Sequence, residues 1–245
     1  MRYLIISDIH GNLLALDAVL EAAPTYDQVW CLGDVVGYGP NPCECIHRLR
    51  ELPHLTVAGN HDRAVTEDLN LDEFNADAQE AALWTRNQLS TAELDFLAQL
   101  PERRVAGEFT LVHGSPRHPI WEYILAISTA RANFDYFDTS FCLVGHTHVP
   151  VIYTTPRNDT LTRCKAMAPR DAEELPLADT ARMIINPGSV GQPRDGIPLA
   201  SYALLDTETR LLSFHRQPYP IEEVQEQMHR ANLPPRLIAR LSFGW

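Results

Sequence analysis

The 245-residue sequence predicts an α/β fold, and three observations carry the prediction. Short apolar runs recur, each the length of a buried strand. Several are followed by segments with apolar residues at helical spacing, the alternation from which α/β sheets are built. Five of the runs end in a polar turn that carries Asp, Asn or His beside a glycine.

The first run is Tyr3-Leu4-Ile5-Ile6, and Ser7-Asp8-Ile9-His10-Gly11-Asn12 follows it. Leu13, Leu14, Leu16, Ala18, Val19 and Leu20 then keep helical spacing and stop before Pro24. A second strand at 28–32 ends in Gly33-Asp34, and a Gly/Pro-rich loop leads to a helix through Cys45, Ile46 and Leu49. A third, at 55–58, ends in Gly59-Asn60-His61-Asp62.

Residues 63–100 change character. Phe74, Ala78, Ala81, Ala82 and Leu89 recur at helical spacing, and Ser90-Thr91-Ala92-Glu93 is a capping-box pattern for a helix that Pro101 ends. The stretch has too few large apolar residues for its own core, so it reads as a helical insertion or cap within a single domain, 1–245.

Strands return at 103–106 and 109–112, the second ending in His113-Gly114-Ser115, and a helix is expected over 128–136. The run at 141–144 ends in Gly145-His146-Thr147-His148. Beyond Val149 strands dominate, at 151–154, 160–165, 183–185, 201–205 and 211–216. Residues 166–180 read as a loop, and 221–230 and 235–241 as two short helices.

Composition narrows the class. At 45% hydrophobic and 21% charged the chain is ordinary for a globular protein. A net charge of −12 argues against a broad nucleic-acid or anionic-membrane surface, and no stretch reaches the ~18 apolar residues of a membrane span. The N-terminus enters a strand with no secretory pattern, so the expected location is cytoplasmic. The five cysteines are odd in number, and Cys31 and Cys142 lie inside apolar runs, which fits free thiols in a reducing compartment. Cys43 and Cys45 form C-x-C with no second pair, against a structural zinc site. Neither Ser115 nor Ser189 sits in a Gly-x-Ser-x-Gly elbow, against a serine hydrolase.

The five turns offer Asp8 with His10, Asp34, Asn60 with His61, His113, and His146 with His148. In open α/β sheets the carboxyl ends of strands line the ligand crevice, so these groups are expected to converge on one edge. Asp8 and His10 are expected to point the same way while the chain stays extended. Packing alone does not ask for histidine at the ends of separate buried strands. The donors are nitrogen and oxygen, which suits Mn, Fe, Zn, Ni or Co.

The combination Asp-x-His, Gly-Asp, Gly-Asn-His-Asp, His, Gly-His-x-His resembles the calcineurin-like metallophosphoesterase superfamily. Asn186-Pro187-Gly188-Ser189 resembles a loop of its bacterial phosphodiesterase branch. The resemblance implies a four-layer αββα sandwich with two divalent metal ions at the strand ends. Asp8, His10 and His148 would hold one ion, Asn60, His113 and His146 the other, and Asp34 would bridge them. A metal-bridging hydroxide would attack the phosphorus, with His61 as the acid facing the leaving group. Two divalent ions facing two anionic ligands would leave a net positive site, able to attract a small phosphate ester, including a nucleotide. Protein phosphatases of the superfamily carry Gly-Asp-x-Val-Asp-Arg-Gly; here Gly37 and Tyr38 replace the second Asp and the Arg, which points to the phosphodiesterase branch and leaves open whether Asp62 supports His61. The same site serves a phosphomonoesterase or nucleotide pyrophosphohydrolase, and a third reading is a non-catalytic scaffold, as in the retromer subunit of this fold.

Arg194 is a candidate for the substrate phosphate, unless Asp195 neutralises it. Asn12 either lies near the first metal and substrate or caps the first helix. Arg117 and His118 are placed to line the pocket.

Overall fold

The two faces of the first strand divide the molecule into layers. In the computed structural model, which describes residues 1–66, 70–157 and 163–245, β1 (Arg2–Ile6) sends Leu4 and Ile6 to one side and Ile5 to the other. β2 (Gln28–Cys31) repeats this: Val29 and Cys31 face helices, and Trp30 faces a second sheet.

The first sheet runs β3 (His54–Thr56), β2, β1, β11 (Ala200–Asp206), β12 (Leu211–Gln217), β9 (Glu174–Pro176). Its β3, β2 and β1 are parallel and the remaining pairs antiparallel. The second runs β4 (Arg103–Ala106), β5 (Phe109–Val112), β6 (Phe141–Leu143), β10 (Ala181–Asn186), β7 (Val151–Pro156), β8 (Lys165–Met167). Here β5, β6 and β10 are parallel.

Helices α1 (Leu13–Ala22), α2 (Pro42–Arg50), α3 (Asn60–Val65), α4 (Ala76–Gln88), α5 (Thr91–Ala98), α7 (Ile221–Arg230) and α8 (Pro235–Arg240) pack on the outer face of the first sheet. α6 (Ile127–Asn133) covers the second. Three apolar clusters therefore fill the gaps between four layers, αββα. Phe141 is buried between the sheets with its ring 5.1 Å from that of Phe109; truncating such a residue costs about 3–5 kcal/mol.

Several elements differ from the sequence reading. Asn60 and His61 open helix α3 instead of standing in a turn. Residues 166–180 are not all loop: β8 and β9 are three-residue edge strands, exposed and without apolar alternation, and only their partners β7 and β12 define them. Of the strand expected at 160–165, residues 160–162 lie outside the described residues, Arg163 is a turn, and pairing begins at Lys165. The helix expected over 128–136 is α6 followed by a 3-10 turn, Phe134–Tyr136. The helices of 63–100 pack beside α2 and α3 and add Ala78, Ala81, Ala82 and Leu97 to the outer cluster. Among the described residues no helix is long and apolar enough to cross a membrane.

Candidate metal centre

The carboxyl ends of β1, β2, β3, β5 and β6 meet at one edge, where the two sheets face each other. Asp8, His10, Asp34, His146 and His148 all have left-handed backbones, with φ of 53°, 51°, 53°, 65° and 60°. Such a conformation costs a non-glycine residue about 1–3 kcal/mol and persists only where surrounding contacts hold it. Here they do: the Asp8 N–H donates to Gly33 O (3.0 Å), the His10 N–H to Asp34 O (2.9 Å), and the His146 N–H to the Asp8 carboxylate (3.1 Å). Asp8 and His10 therefore share a side for a different reason from strand alternation, since β1 ends at Ile6.

Each of four imidazoles bonds outward to a backbone carbonyl: His10 Nδ1 to Val36 O (3.2 Å), His113 Nδ1 to Leu32 O (2.8 Å), His148 Nδ1 to Gln192 O (2.5 Å) and His146 Nε2 to Trp121 O (3.2 Å). On a neutral ring the N–H sits on that outer nitrogen and the inner nitrogen is a lone pair; burial favours this form for His10, His146 and His148, whereas His113 gives up its inner proton only to a cation. The inner atoms fall into two groups around Asp34. His148 Nε2 is 3.3 Å from Asp8 Oδ1 and 3.0 Å from His10 Nε2. His113 Nε2 is 3.1 Å from His146 Nδ1 and 3.0 Å from Asn60 Oδ1. Asp34 Oδ2 stands 3.6 Å from His10 Nε2 and 3.3 Å from His113 Nε2, and it is buried with no hydrogen-bond partner.

The electrostatics match an unneutralised donor set. Burial pushes His10, His146 and His148 well below the ordinary histidine range. Burial, with Asp34 nearby, raises Asp8 to about 7. Burial also opposes charge on His113 and Asp34, yet each offsets it for the other: His113 rises to about 9 and Asp34 falls well below the usual carboxylate range. An orphaned buried carboxylate oxygen between two groups of inward imidazole nitrogens, with no thiolate among them, fits hard or borderline divalent cations. Asp8, His10 and His148 form one such group and Asp34, His113 and His146 another.

His61 lies beside the groups, its ring edge-on to His10 at 4.9 Å and its backbone N–H donating to Asp34 Oδ1 (2.9 Å). Its Nδ1 is buried and unpartnered. Asp62 does not support this ring. Its carboxylate accepts from the N–H groups of Asp34, Val35, Val36 and Gly59 at 2.8–3.2 Å, so it shapes the turn that carries Asp34. No side chain fits at Gly37, where φ is 91° and a Cβ would lie 2.7 Å from His61 Nδ1. Tyr38 and Phe74 pack on the same imidazole at 4.3 and 5.1 Å. Burial lowers His61 to about 4.

Sequence reasoning missed Phe74, which brings the helical stretch to the site, and Tyr123, whose ring stacks on His146 at 3.8 Å. Neither belongs to a motif, and no local signal in the sequence marks them as site residues. In the loop of Tyr123, Glu122 accepts from Arg117, Ser115 and Asn133, so Arg117 braces the loop instead of lining the pocket, and His118 is exposed. Asn12 is the helix cap: Oδ1 accepts from Ala15 N (3.1 Å), Nδ2 donates to Gly191 O (3.0 Å), and the side chain is buried. Asp195 pairs with Arg216, not Arg194; Arg194 donates to Gln192 Oε1 (2.7 Å) and lies over the Tyr38 ring at 5.8 Å. Asn186 donates to Gly145 O (2.7 Å), and Ser189 Oγ to Asp8 O (2.8 Å), so the 186–189 loop braces both sheets' turns.

The chain belongs to the calcineurin-like phosphoesterase superfamily, whose domain model matches residues 1–210. This is a family of metal-dependent hydrolases of phosphate esters. Among particular proteins, a metallophosphoesterase from Sphaerobacter thermophilus of solved structure is similar at 49% identity and a TM-score of 0.90, covering 100% of this chain and 99% of its own. The uncharacterized protein MJ0912 of Methanocaldococcus jannaschii is 39% identical over 98% of this chain and 97% of its own length. The phosphodiesterase YfcE of Escherichia coli is 27% identical over 85% and 89%.

Proposed function

We propose that this protein is a dinuclear metal-dependent phosphodiesterase working as one domain in a reducing, cytoplasmic setting. The observation that supports it most is the Asp34 oxygen without a partner between two groups of inward-facing imidazole nitrogens. In this reading Asp8, His10 and His148 would hold one ion and Asn60, His113 and His146 the other, with Asp34 shared between the two groups. Bound there, the ions supply Lewis acidity, lowering the pKa of a water and drawing charge from the phosphoryl oxygens. Buried carbonyls at Val36, Leu32, Gln192 and Trp121 fix the imidazole orientations beforehand.

His61 donates a proton to the leaving oxygen. Burial keeps the free imidazole neutral, so the role requires the incoming phosphate anion, which raises the pKa of an adjacent imidazole. Its packing between Tyr38, Gly37 and Phe74 holds the ring in place for that transfer.

Preference for diesters is supported by the similarity to the Escherichia coli phosphodiesterase and by Gly37 and Tyr38 at the positions where protein phosphatases carry Asp and Arg. The test is turnover of bis(p-nitrophenyl) phosphate, p-nitrophenyl phosphate and a dinucleotide, each with Mn, Zn, Ni or Co. Faster monoester than diester hydrolysis reverses the preference. A metal-free protein that turns over none of them favours the scaffold reading.

A further inference from the structure

Arg194 and Arg240 differ from three other half-buried arginines. Arg216, Arg210 and Arg117 each pair with a carboxylate: Asp195, Glu108 and Glu122. Arg194 and Arg240 instead converge on one neutral atom, Gln192 Oε1, at 2.7 and 3.2 Å, and neither has a carboxylate partner among the described residues. Two guanidinium groups sharing an amide oxygen repel each other, and an anion set between them relieves this.

The pair links two features. On one side Arg194 lies over Tyr38, and Tyr38 touches both His10 (4.6 Å) and His61 (4.3 Å), so the guanidinium stands next to the side of the centre given above to the leaving group. On the other, Arg240 opens onto a cleft of about 570 Å³ that Arg236, Phe243 and Trp245 also line. The two aromatic rings are stacked at 4.9 Å, and they are 52% and 65% exposed, so a flat, apolar face is open to solvent. Asp77 lies at the rim, 3.8 Å from Arg236 Nε, and leaves Arg240 unpaired.

The cleft is tied to the centre. Gly196 N–H donates to Gly244 O (2.9 Å), and a Cβ at Gly244, where φ is 66°, would lie 2.7 Å from Ile197 N. The segment bearing Phe243 and Trp245 is thus fastened to the loop bearing Gln192 and Arg194.

We infer that this cleft is a second substrate subsite, for the nucleoside end of a nucleoside diphosphate ester. One phosphorus sits at the metal centre, the adjacent phosphate lies between Arg194 and Arg240, and the base stacks on the Phe243–Trp245 face. A phosphorus inside a P–O–P chain carries two bridging oxygens, as in a diester. Water adds across the linkage: its oxygen joins the phosphorus at the centre, and the bridging oxygen leaves with the nucleoside monophosphate. That oxygen takes the proton given by His61, and the protons of the water pass to solvent. Stacking on an aromatic face tolerates any base, so the subsite selects a nucleotide without selecting its letter.

The inference rests on the phosphodiesterase reading, and the experiment separates the two. Hydrolysis of ADP-ribose is compared with that of bis(p-nitrophenyl) phosphate, which has no second phosphate. The ratio of kcat/KM for the first to the second falls roughly tenfold in Trp245→Ala and in Arg240→Gln. Independently of activity, ADP quenches tryptophan emission of the metal-free wild type and not of Trp245→Phe. Unchanged ratios in both variants, or no quenching by ADP, overturn the subsite. Turnover of the aryl diester without ADP binding overturns the subsite and leaves the phosphodiesterase reading standing. Quenching at Trp245 without turnover of either substrate upholds the subsite and removes the phosphodiesterase reading.

Discussion

His10 and His148 stand 138 residues apart in the chain and bring their Nε2 atoms to 3.0 Å. Both rings bond outward to backbone carbonyls and burial keeps both neutral, so two lone pairs face each other. A divalent cation held by both nitrogens would draw the two lone pairs to itself and relieve their repulsion. The contact is unfavourable without a cation and natural with one.

Chelation should therefore cost stability as well as activity. Ions at a hundredfold excess over Kd stabilise by about 2.7 kcal/mol, which for a chain of this size is a Tm shift of about 5–10 °C. Thermal melts with and without EDTA check this, and His148→Ala should shrink the shift. Identical melts of the metal-loaded and stripped wild type would count against the centre.

Asp34 and Asp8 should differ in consequence. Asp34 Oδ2 lies within 3.6 Å of inner nitrogens in both groups, whereas Asp8 Oδ1 approaches those of one. Asp34→Ala should lose both ions, and Asp8→Ala mainly the one on the His10 and His148 side. Metal analysis of purified variants decides, and equal content in the two contradicts the ordering.

His61→Ala should lower kcat by about 10²–10⁴ for a poor leaving group and less for p-nitrophenolate, which needs little help from an acid. Metal content should stay that of the wild type. A loss independent of the leaving group would place His61 among the ligands, a role its closeness to His10 and Asp34 also permits.

Glu122 gives a pH prediction. Burial pushes its carboxyl up, but hydrogen bonds from Arg117, Asn133 and Ser115 outweigh that and hold it at about 2. The unfolded value is about 4.3, so the folded state favours the ionised form. Its contribution is fully present above about pH 5 and fades as pH falls toward 2. Urea midpoints of the wild type and Glu122→Gln should differ most at pH 6, differ by roughly half as much at pH 3, and converge only near pH 2. A constant gap would show that the charge does not matter. The same loop carries Trp121 O, which bonds His146, so acid should loosen the centre as well.

The ligand turns were legible because they are local: an apolar run, a glycine, then Asp or His is a pattern within a few residues. The same locality explains the helices α1, α2, α5 and α7, each with its own apolar spacing or cap. Edge strands β8 and β9 were not legible, since their side chains are mostly exposed and only a neighbour's hydrogen bonds make them strands. The role of Asp62 stayed open for a related reason: four backbone N–H groups from two turns converge on it, and no spacing in the sequence encodes that.

Sequence by itself determined the αββα class, the family and the set of metal-competent residues, because strand periodicity and donor chemistry are properties of short segments. Tertiary structure decided what those residues do to one another. It set the left-handed turns that aim Asp8, His10, Asp34, His146 and His148 inward, and the carbonyls that orient each imidazole. It also joined Arg194, Gln192 and Arg240, the last from a helix some fifty residues on, into one path from the centre to the Phe243–Trp245 face. Such relations depend on distance in space between groups far apart in the chain, and that distance exists only once the layers have packed.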